Sequence, residues 1–147
     1  MLKRWIELRG RPCALRLTLE SVLYAADVYD LPFDRWHGVK GLHALCCAAL
    51  RGGGKRLTRA QVRALQPHRH PRLCRLLREL LREGGFEREP ITPETVGRLL
   101  FAAQGAGYDA HRLLQMTPNE IAALLPDMCS GEESMRALLR GLAERKA

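Results

Sequence analysis

The sequence predicts a mainly α-helical fold of the α+β type, in which one N-terminal β-hairpin packs on a multi-helix bundle. The alternation of apolar and polar residues that marks strands occurs only near the N-terminus, at Ile6 and Leu8 and again at Leu15 and Leu17. Aromatic residues make up 5% of the chain, so the core must be built mainly from Leu and Ala, as helices prefer. Five residues resemble helix N-caps placed before apolar runs, namely Thr18, Thr58, Thr92, Thr117 and Ser130.

The predicted hairpin joins strands over residues 5–8 and 13–17. Gly10 and Pro12 lie between them and supply the turn. A lone hairpin is marginally stable in water, and its edges carry unpaired backbone groups. We therefore expect the hairpin to pack on the helices or to pair with a second copy of the chain.

The predicted helices begin at a capping residue or a proline and end near glycine or proline. They cover residues 19–30, 34 or 37 to 50, 58–65, 71–83, 93–104, 109–115, 118–125 and 131–145. The charge balance changes within residues 84–92, which begin with a Gly-Gly pair and end at the Thr92 cap. We predict a hairpin plus helical bundle over residues 1–85, a linker over residues 86–92, and a C-terminal helical extension over residues 93–147.

Basic charge is concentrated in one segment. Residues 51–88 hold eleven Lys/Arg against three Asp/Glu, a net of +8, which equals the net charge of the whole chain. Within this segment the helix over residues 71–83 places its leucines on one side and four arginines on the other, Arg72, Arg75, Arg78 and Arg82. That face has three interpretations: a solvated surface partly neutralised by Glu79 and Glu83, a site for an acidic protein helix, or a track for nucleic-acid phosphates.

Residues 113–125 predict a tight turn between two helices. Thr117 is an N-cap, Pro118 occupies the first helical position, and Glu120 completes a capping box. No side chain in this turn suggests a catalytic role, so the turn is predicted to serve packing and docking. We expect partner-binding residues here as well as on the arginine face, at Leu113, Leu114, Met116, Thr117, Pro118 and Glu120.

The sequence predicts neither an enzyme nor a metal or cofactor site. His68, His70 and Cys74 have ligand-type side chains but lack a fourth ligand at a recognisable spacing. The segment Gly52–Lys55 lacks the preceding strand and the spacing of a phosphate-binding loop, so it is interpreted as a helix stop. No cysteine or histidine has an evident orienting partner for nucleophilic catalysis.

Several features bear on where the protein works. No apolar run reaches the roughly 18 residues that cross a bilayer, and the N-terminus lacks the apolar stretch of a signal peptide. The five cysteines form an odd set without paired spacing, which favours a reducing compartment over a disulfide framework. We expect a cytoplasmic protein without a membrane partner.

Three stretches of the sequence resemble the tail assembly chaperones of long-tailed bacteriophages. The first is the hairpin Ile6-Glu7-Leu8-Arg9-Gly10-Arg11-Pro12-Cys13-Ala14-Leu15-Arg16-Leu17-Thr18, and the second runs from Ala48-Ala49-Leu50-Arg51-Gly52-Gly53 to Leu57-Thr58-Arg59-Ala60-Gln61-Val62. The third, Gly107-Tyr108-Asp109-Ala110-His111-Arg112-Leu113-Leu114-Gln115-Met116-Thr117-Pro118-Asn119-Glu120, is similar to a phage tail-gene motif with Thr-Pro-x-Glu.

The resemblance implies a non-enzymatic role in the host cytoplasm. Such chaperones coat the long helical tape measure protein, keep it soluble and recruit tail-tube subunits. The resemblance also implies a helical body behind a short hairpin, with self-association through the hairpin edge. A basic helical module that binds nucleic acid is the alternative interpretation of this chain.

Overall fold

A computed structural model describes residues 2–87 and 91–124 of the chain. These residues form a two-stranded antiparallel sheet, seven α-helices and two short 3₁₀ turns. The strands are β1 (Arg4–Leu8) and β2 (Arg11–Leu15), and the helices are α1 (Leu19–Val28), α2 (Gly38–Gly52), α3 (Arg59–Leu65), α4 (Pro71–Gly84), α5 (Pro93–Gly105), α6 (Ala110–Leu114) and α7 (Pro118–Leu124). The predicted mainly helical fold with an N-terminal hairpin is confirmed.

The hairpin turn is tighter than predicted. It contains only Arg9 and Gly10, whose φ angles of 53° and 76° are both positive, as in the type I′ turns that match strand twist. Pro12 is therefore not a turn residue, and its predicted role is wrong. It lies in β2 opposite Glu7, at a non-hydrogen-bonded position of the ladder, where the missing N–H removes no bond to β1.

Strand β2 lies directly against the C-terminal end of α2. The Arg16 N–H, just after β2, donates to the carbonyl of Ala49 at 3.0 Å. A Cβ atom added at Gly52 would lie 1.9 Å from the Arg16 carbonyl oxygen, and one at Gly53 would lie 2.0 Å from that of Ala14. Glycine is needed here because no side chain fits between the two backbones.

The predicted N-caps form at every position that the structure describes. In each, a threonine hydroxyl accepts from the backbone N–H three residues later, over 3.0–3.2 Å. The reciprocal bond of the capping box is also present in all four, and the pairs are Thr18 with Ser21, Thr58 with Gln61, Thr92 with Thr95, and Thr117 with Glu120. The predicted cap at Ser130 and the predicted helix over residues 131–145 lie outside the described residues.

One continuous apolar core draws on both sides of the predicted linker. Ile6 and Leu15 from the hairpin, Leu99 from α5 and Ile121 from α7 belong to the same buried cluster. Within residues 86–92, Phe86 and Ile91 are buried in this core, while residues 88–90 are not among those described. The division at residues 86–92 stays a prediction, although the two segments share a core.

Candidate functional site

The arginine face of α4 is exposed as the sequence predicts. The leucines of the helix, Leu73, Leu76, Leu77 and Leu80, are buried, whereas Arg72, Arg75, Arg78 and Arg82 are exposed. Pro71 occupies the first helical position, and the His70 ring accepts from the Leu73 N–H at 3.3 Å. A fixed helix therefore presents four guanidinium groups to solvent.

The two glutamates that were expected to neutralise this face are engaged elsewhere. Arg4, at the start of β1, lies 3.6 Å from the Glu79 carboxylate and also pairs with Glu83. These three side chains leave a net charge of −1 beside four arginines that form no ion pair within the part of the chain that the structure describes. The face therefore keeps an excess of positive charge.

The Thr-Pro turn packs against the chain itself. The Met116 carbonyl accepts from the Leu19 N–H at 3.1 Å, at the start of α1. The Asn119 amide donates to the Glu83 carbonyl at 2.9 Å, at the end of α4. The turn thus closes the bundle by joining α1 and α4, which accounts for its packing role.

This placement divides the predicted partner-binding residues. Leu113, Thr117 and Pro118 are buried, so the expectation that they offer a docking surface is corrected. Leu114, Met116 and Glu120 are partly exposed, and the Glu120 carboxylate accepts from the Thr117 N–H at 3.1 Å. Only the arginine face remains as a broadly accessible part of the predicted site.

The chemistry-bearing residues singled out from the sequence have structural roles. His70 caps α4, and the Cys74 thiol donates to the Pro67 carbonyl at 3.2 Å. Among the described residues no three His, Cys, Asp or Glu side chains come together as metal ligands. Gly52 and Gly53 press against β2, which leaves no room for an anion between them.

The four cysteines that the structure describes are packing residues. Cys13, Cys46 and Cys47 are buried, Cys74 is half-buried, and none of these four forms a disulfide. Burial, reinforced by the nearby thiols of Cys47, Cys74 and Cys13, raises the pKa of Cys46 to about 12. A thiol with so high a pKa is a poor nucleophile at neutral pH.

Sequence reasoning missed one pocket. It has a volume of about 410 Å³ and lies where α1 ends, α2 begins and α3 passes, and its lining residues are Tyr29, Val39, Lys40, His43, Arg59 and Arg63. The i, i+4 spacing of Arg59 and Arg63 on one helix was the only local signal. The remaining residues converge through tertiary packing, which no single segment could reveal.

Comparison with known proteins adds no relative. No known protein family, curated protein or solved structure matches this chain. Among the described helices, none is both long and apolar enough to cross a membrane.

Proposed function

We propose that this chain is a non-enzymatic tail assembly chaperone, which binds and solubilises the tape measure protein and aids assembly of the tail tube. The observation that supports this most is the uncompensated arginine face of α4, held on a rigid helix beside the hairpin. The architecture of a short hairpin followed by helices is also the one that the sequence resemblance implies.

A partner helix would meet two kinds of surface. The arginine face selects an acidic stripe, since like charges placed there would cost several kcal/mol. Trp5 follows Arg4 on β1, and its side chain is 59% exposed. Strand side chains alternate, so Trp5 lies on the face of the hairpin opposite to Arg4. Because tryptophan is a common energetic anchor of interfaces, Trp5 would supply apolar contact on that outer face of the hairpin.

Self-association would use β1 rather than β2. Pro12 interrupts the outer edge of β2, and the chain beyond β2 is bonded to α2 through Arg16. The outer edge of β1 pairs with no other strand among the described residues. A second copy could therefore add to the hairpin only at β1.

Co-expression with a phage tape measure protein tests the proposal. The wild-type chain should keep that protein soluble, and the Arg75→Glu, Arg78→Glu double variant should not. A matched control, Arg35→Glu with Arg112→Glu, makes the same charge change at exposed positions away from α4 and should behave as wild type. An insoluble partner with the wild-type chain, or equal loss in both variants, would contradict the proposal.

The same arginine face supports the alternative of a nucleic-acid-binding module. Tracking of phosphates by six or more cations would weaken binding about a thousandfold or more between 50 and 200 mM salt. A chaperone complex in which apolar contact adds to the arginine face should lose less affinity over the same range and persist at about 0.3 M salt. Salt-sensitive binding to duplex DNA, lost in the α4 double variant, together with failure to solubilise the helical protein, would favour the nucleic-acid function.

A further inference from the structure

We propose that the pocket between α1, α2 and α3 binds the phosphate group of a small molecule. This inference goes beyond the chaperone function and concerns a different face of the protein from the α4 arginines. The pocket measures about 410 Å³, within the range of about 300–1,000 Å³ typical of small-molecule sites.

The pocket is cationic. Lys40, Arg59 and Arg63 line it, and none of the described residues that line it is acidic. None of the three cations takes part in an ion pair within residues 2–87 and 91–124. Three convergent cations match the double negative charge of a phosphate monoester better than the single charge of a carboxylate, and arginine can hold phosphate through two parallel hydrogen bonds.

A buried tyrosine adds a donor. Tyr29 is 3% exposed, and its hydroxyl finds no hydrogen-bond partner among the described residues. Burial raises the pKa of Tyr29 to about 12, so the phenol keeps its proton at neutral pH. Such orphaned donors are rare in folded proteins, and a ligand oxygen would satisfy this one.

Arg59 lies over the Tyr29 ring. Its guanidinium carbon lies 4.7 Å from the centre of the Tyr29 ring, and the hydroxyl has no exposed surface of its own. Arg59 is exposed and free to turn from the ring towards an incoming phosphate. This movement would place a guanidinium on the ligand and open the face of the Tyr29 ring that Arg59 covers.

His43 provides a second unpaired group. Its Nε2 atom is buried without a hydrogen-bond partner in the described chain. Burial, with His68 and Arg63 nearby, lowers the pKa of His43, which keeps the ring neutral at neutral pH. A neutral imidazole can donate one hydrogen bond to a phosphate oxygen while its other nitrogen accepts.

The start of α2 strengthens the site. Val39 and Lys40 lie in the first turn of this 15-residue helix, and the N-cap residue His37 makes no side-chain bond to it. The first backbone N–H groups therefore receive no cap from His37, and they lie at the positive end of the helix dipole. Val39 and the Tyr29 ring add an apolar wall against which the organic part of a monoester can rest.

Calorimetric titration of the full chain with inorganic phosphate and with adenosine 5′-monophosphate tests the proposal, with sodium chloride matching the ionic strength. Saturable millimolar or tighter binding of either probe is expected. Tighter binding of the monoester would identify the ligand as an organic phosphate. Equal or tighter binding of the inorganic ion would identify it as free phosphate. Absence of saturable binding by both would overturn the proposal.

Three variants test whether phosphate binds at this pocket rather than elsewhere on the protein. Arg59→Gln and Arg63→Gln should each weaken binding about tenfold or more, the effect expected of losing a charge-assisted hydrogen bond. Arg56→Gln removes an exposed charge outside the pocket and should leave affinity within about twofold. Equal weakening in all three would indicate nonspecific attraction to a basic protein and overturn the site.

Tyr29→Phe separates binding from folding. The variant keeps the ring under Arg59 and removes only the unpaired hydroxyl, so the unliganded protein should melt at the wild-type temperature or higher. Phosphate affinity should nevertheless fall about tenfold. Unchanged affinity would show that Tyr29 does not face the ligand and would contradict the geometry proposed here.

Discussion

Replacing Gly52 with alanine tests whether the hairpin is seated on α2. Gly52 is the last residue of α2, and its backbone conformation is one that alanine adopts without strain. The added Cβ atom would nevertheless lie 1.9 Å from the carbonyl oxygen of Arg16 and 2.8 Å from its carbonyl carbon. Both atoms belong to the backbone, so no side chain can turn away, and the chain after β2 must move.

The magnitude follows from two opposing effects. Alanine in a helix is favoured over glycine by about 0.5–1 kcal/mol. Forcing extra volume into a packed contact costs about 1–3 kcal/mol, and loss of the bond from the Arg16 N–H to the Ala49 carbonyl costs about 1 kcal/mol more. Gly52→Ala should therefore lower the free energy of unfolding by about 1–3 kcal/mol.

Gly97 provides a matched control. It lies inside α5, and a Cβ atom added there would meet nothing within 4 Å. Gly97→Ala should therefore raise the free energy of unfolding by about 0.5–1 kcal/mol through helix propensity alone. Replacing glycine with alanine is thus expected to lower the free energy of unfolding at Gly52 and to raise it at Gly97.

Urea unfolding followed by circular dichroism measures both effects. A shift in the midpoint at constant slope reports a change in stability. The melting temperatures should move in the same directions, by about 2–4 °C per kcal/mol for a chain of this size. Stabilisation by Gly52→Ala equal to that by Gly97→Ala would refute the reasoning, because it would mean that β2 does not lie against α2.

Three further predictions concern single side chains. Thr117→Ala should destabilise the chain by about 1 kcal/mol, because the cap on Glu120 N–H is lost; an unchanged melting curve would argue against the cap. Iodoacetamide should modify half-buried Cys74 well before Cys46, because burial raises the pKa of Cys46 to about 12. Peptide mapping that finds Cys46 modified as fast as Cys74 would contradict this. Burial, with His68 and Arg63 nearby, lowers the pKa of His43, so the folded state binds its proton less readily than the unfolded state. Stability should therefore be lost as pH falls from about 6.5 through the folded pKa, and His43→Gln should reduce that loss; identical pH profiles would contradict it.

Much of the local structure was predictable from short stretches. Thr58 with Gln61 and Thr117 with Glu120 form the predicted capping boxes, because a cap depends on residues three apart. The leucines and arginines of α4 divide between core and solvent as their helical spacing requires. The hairpin was also predictable, although Pro12 was wrongly assigned to its turn, which contains only Arg9 and Gly10.

The candidate sites were less predictable. Leu113 and Thr117 were expected to face a partner, but their burial depends on where α1 and α4 lie, which periodicity cannot give. Similarly, one of the three interpretations of the arginine face had Glu79 and Glu83 partly neutralise it. Their pairing with Arg4 spans more than seventy residues of sequence.

The sequence by itself determined that the chain is mainly helical behind one hairpin, which threonines cap helices, and which side of α4 is apolar, because these properties depend on neighbours within a few residues. It did not determine the bounds of the second strand, which was predicted over residues 13–17 and is Arg11–Leu15. Only the tertiary structure showed that Gly52 packs against the backbone of Arg16 as well as ending α2, and that Tyr29 and Arg63 line one pocket. The physical reason is that close packing fixes distances between residues far apart in the chain, whereas sequence patterns record only local periodicity.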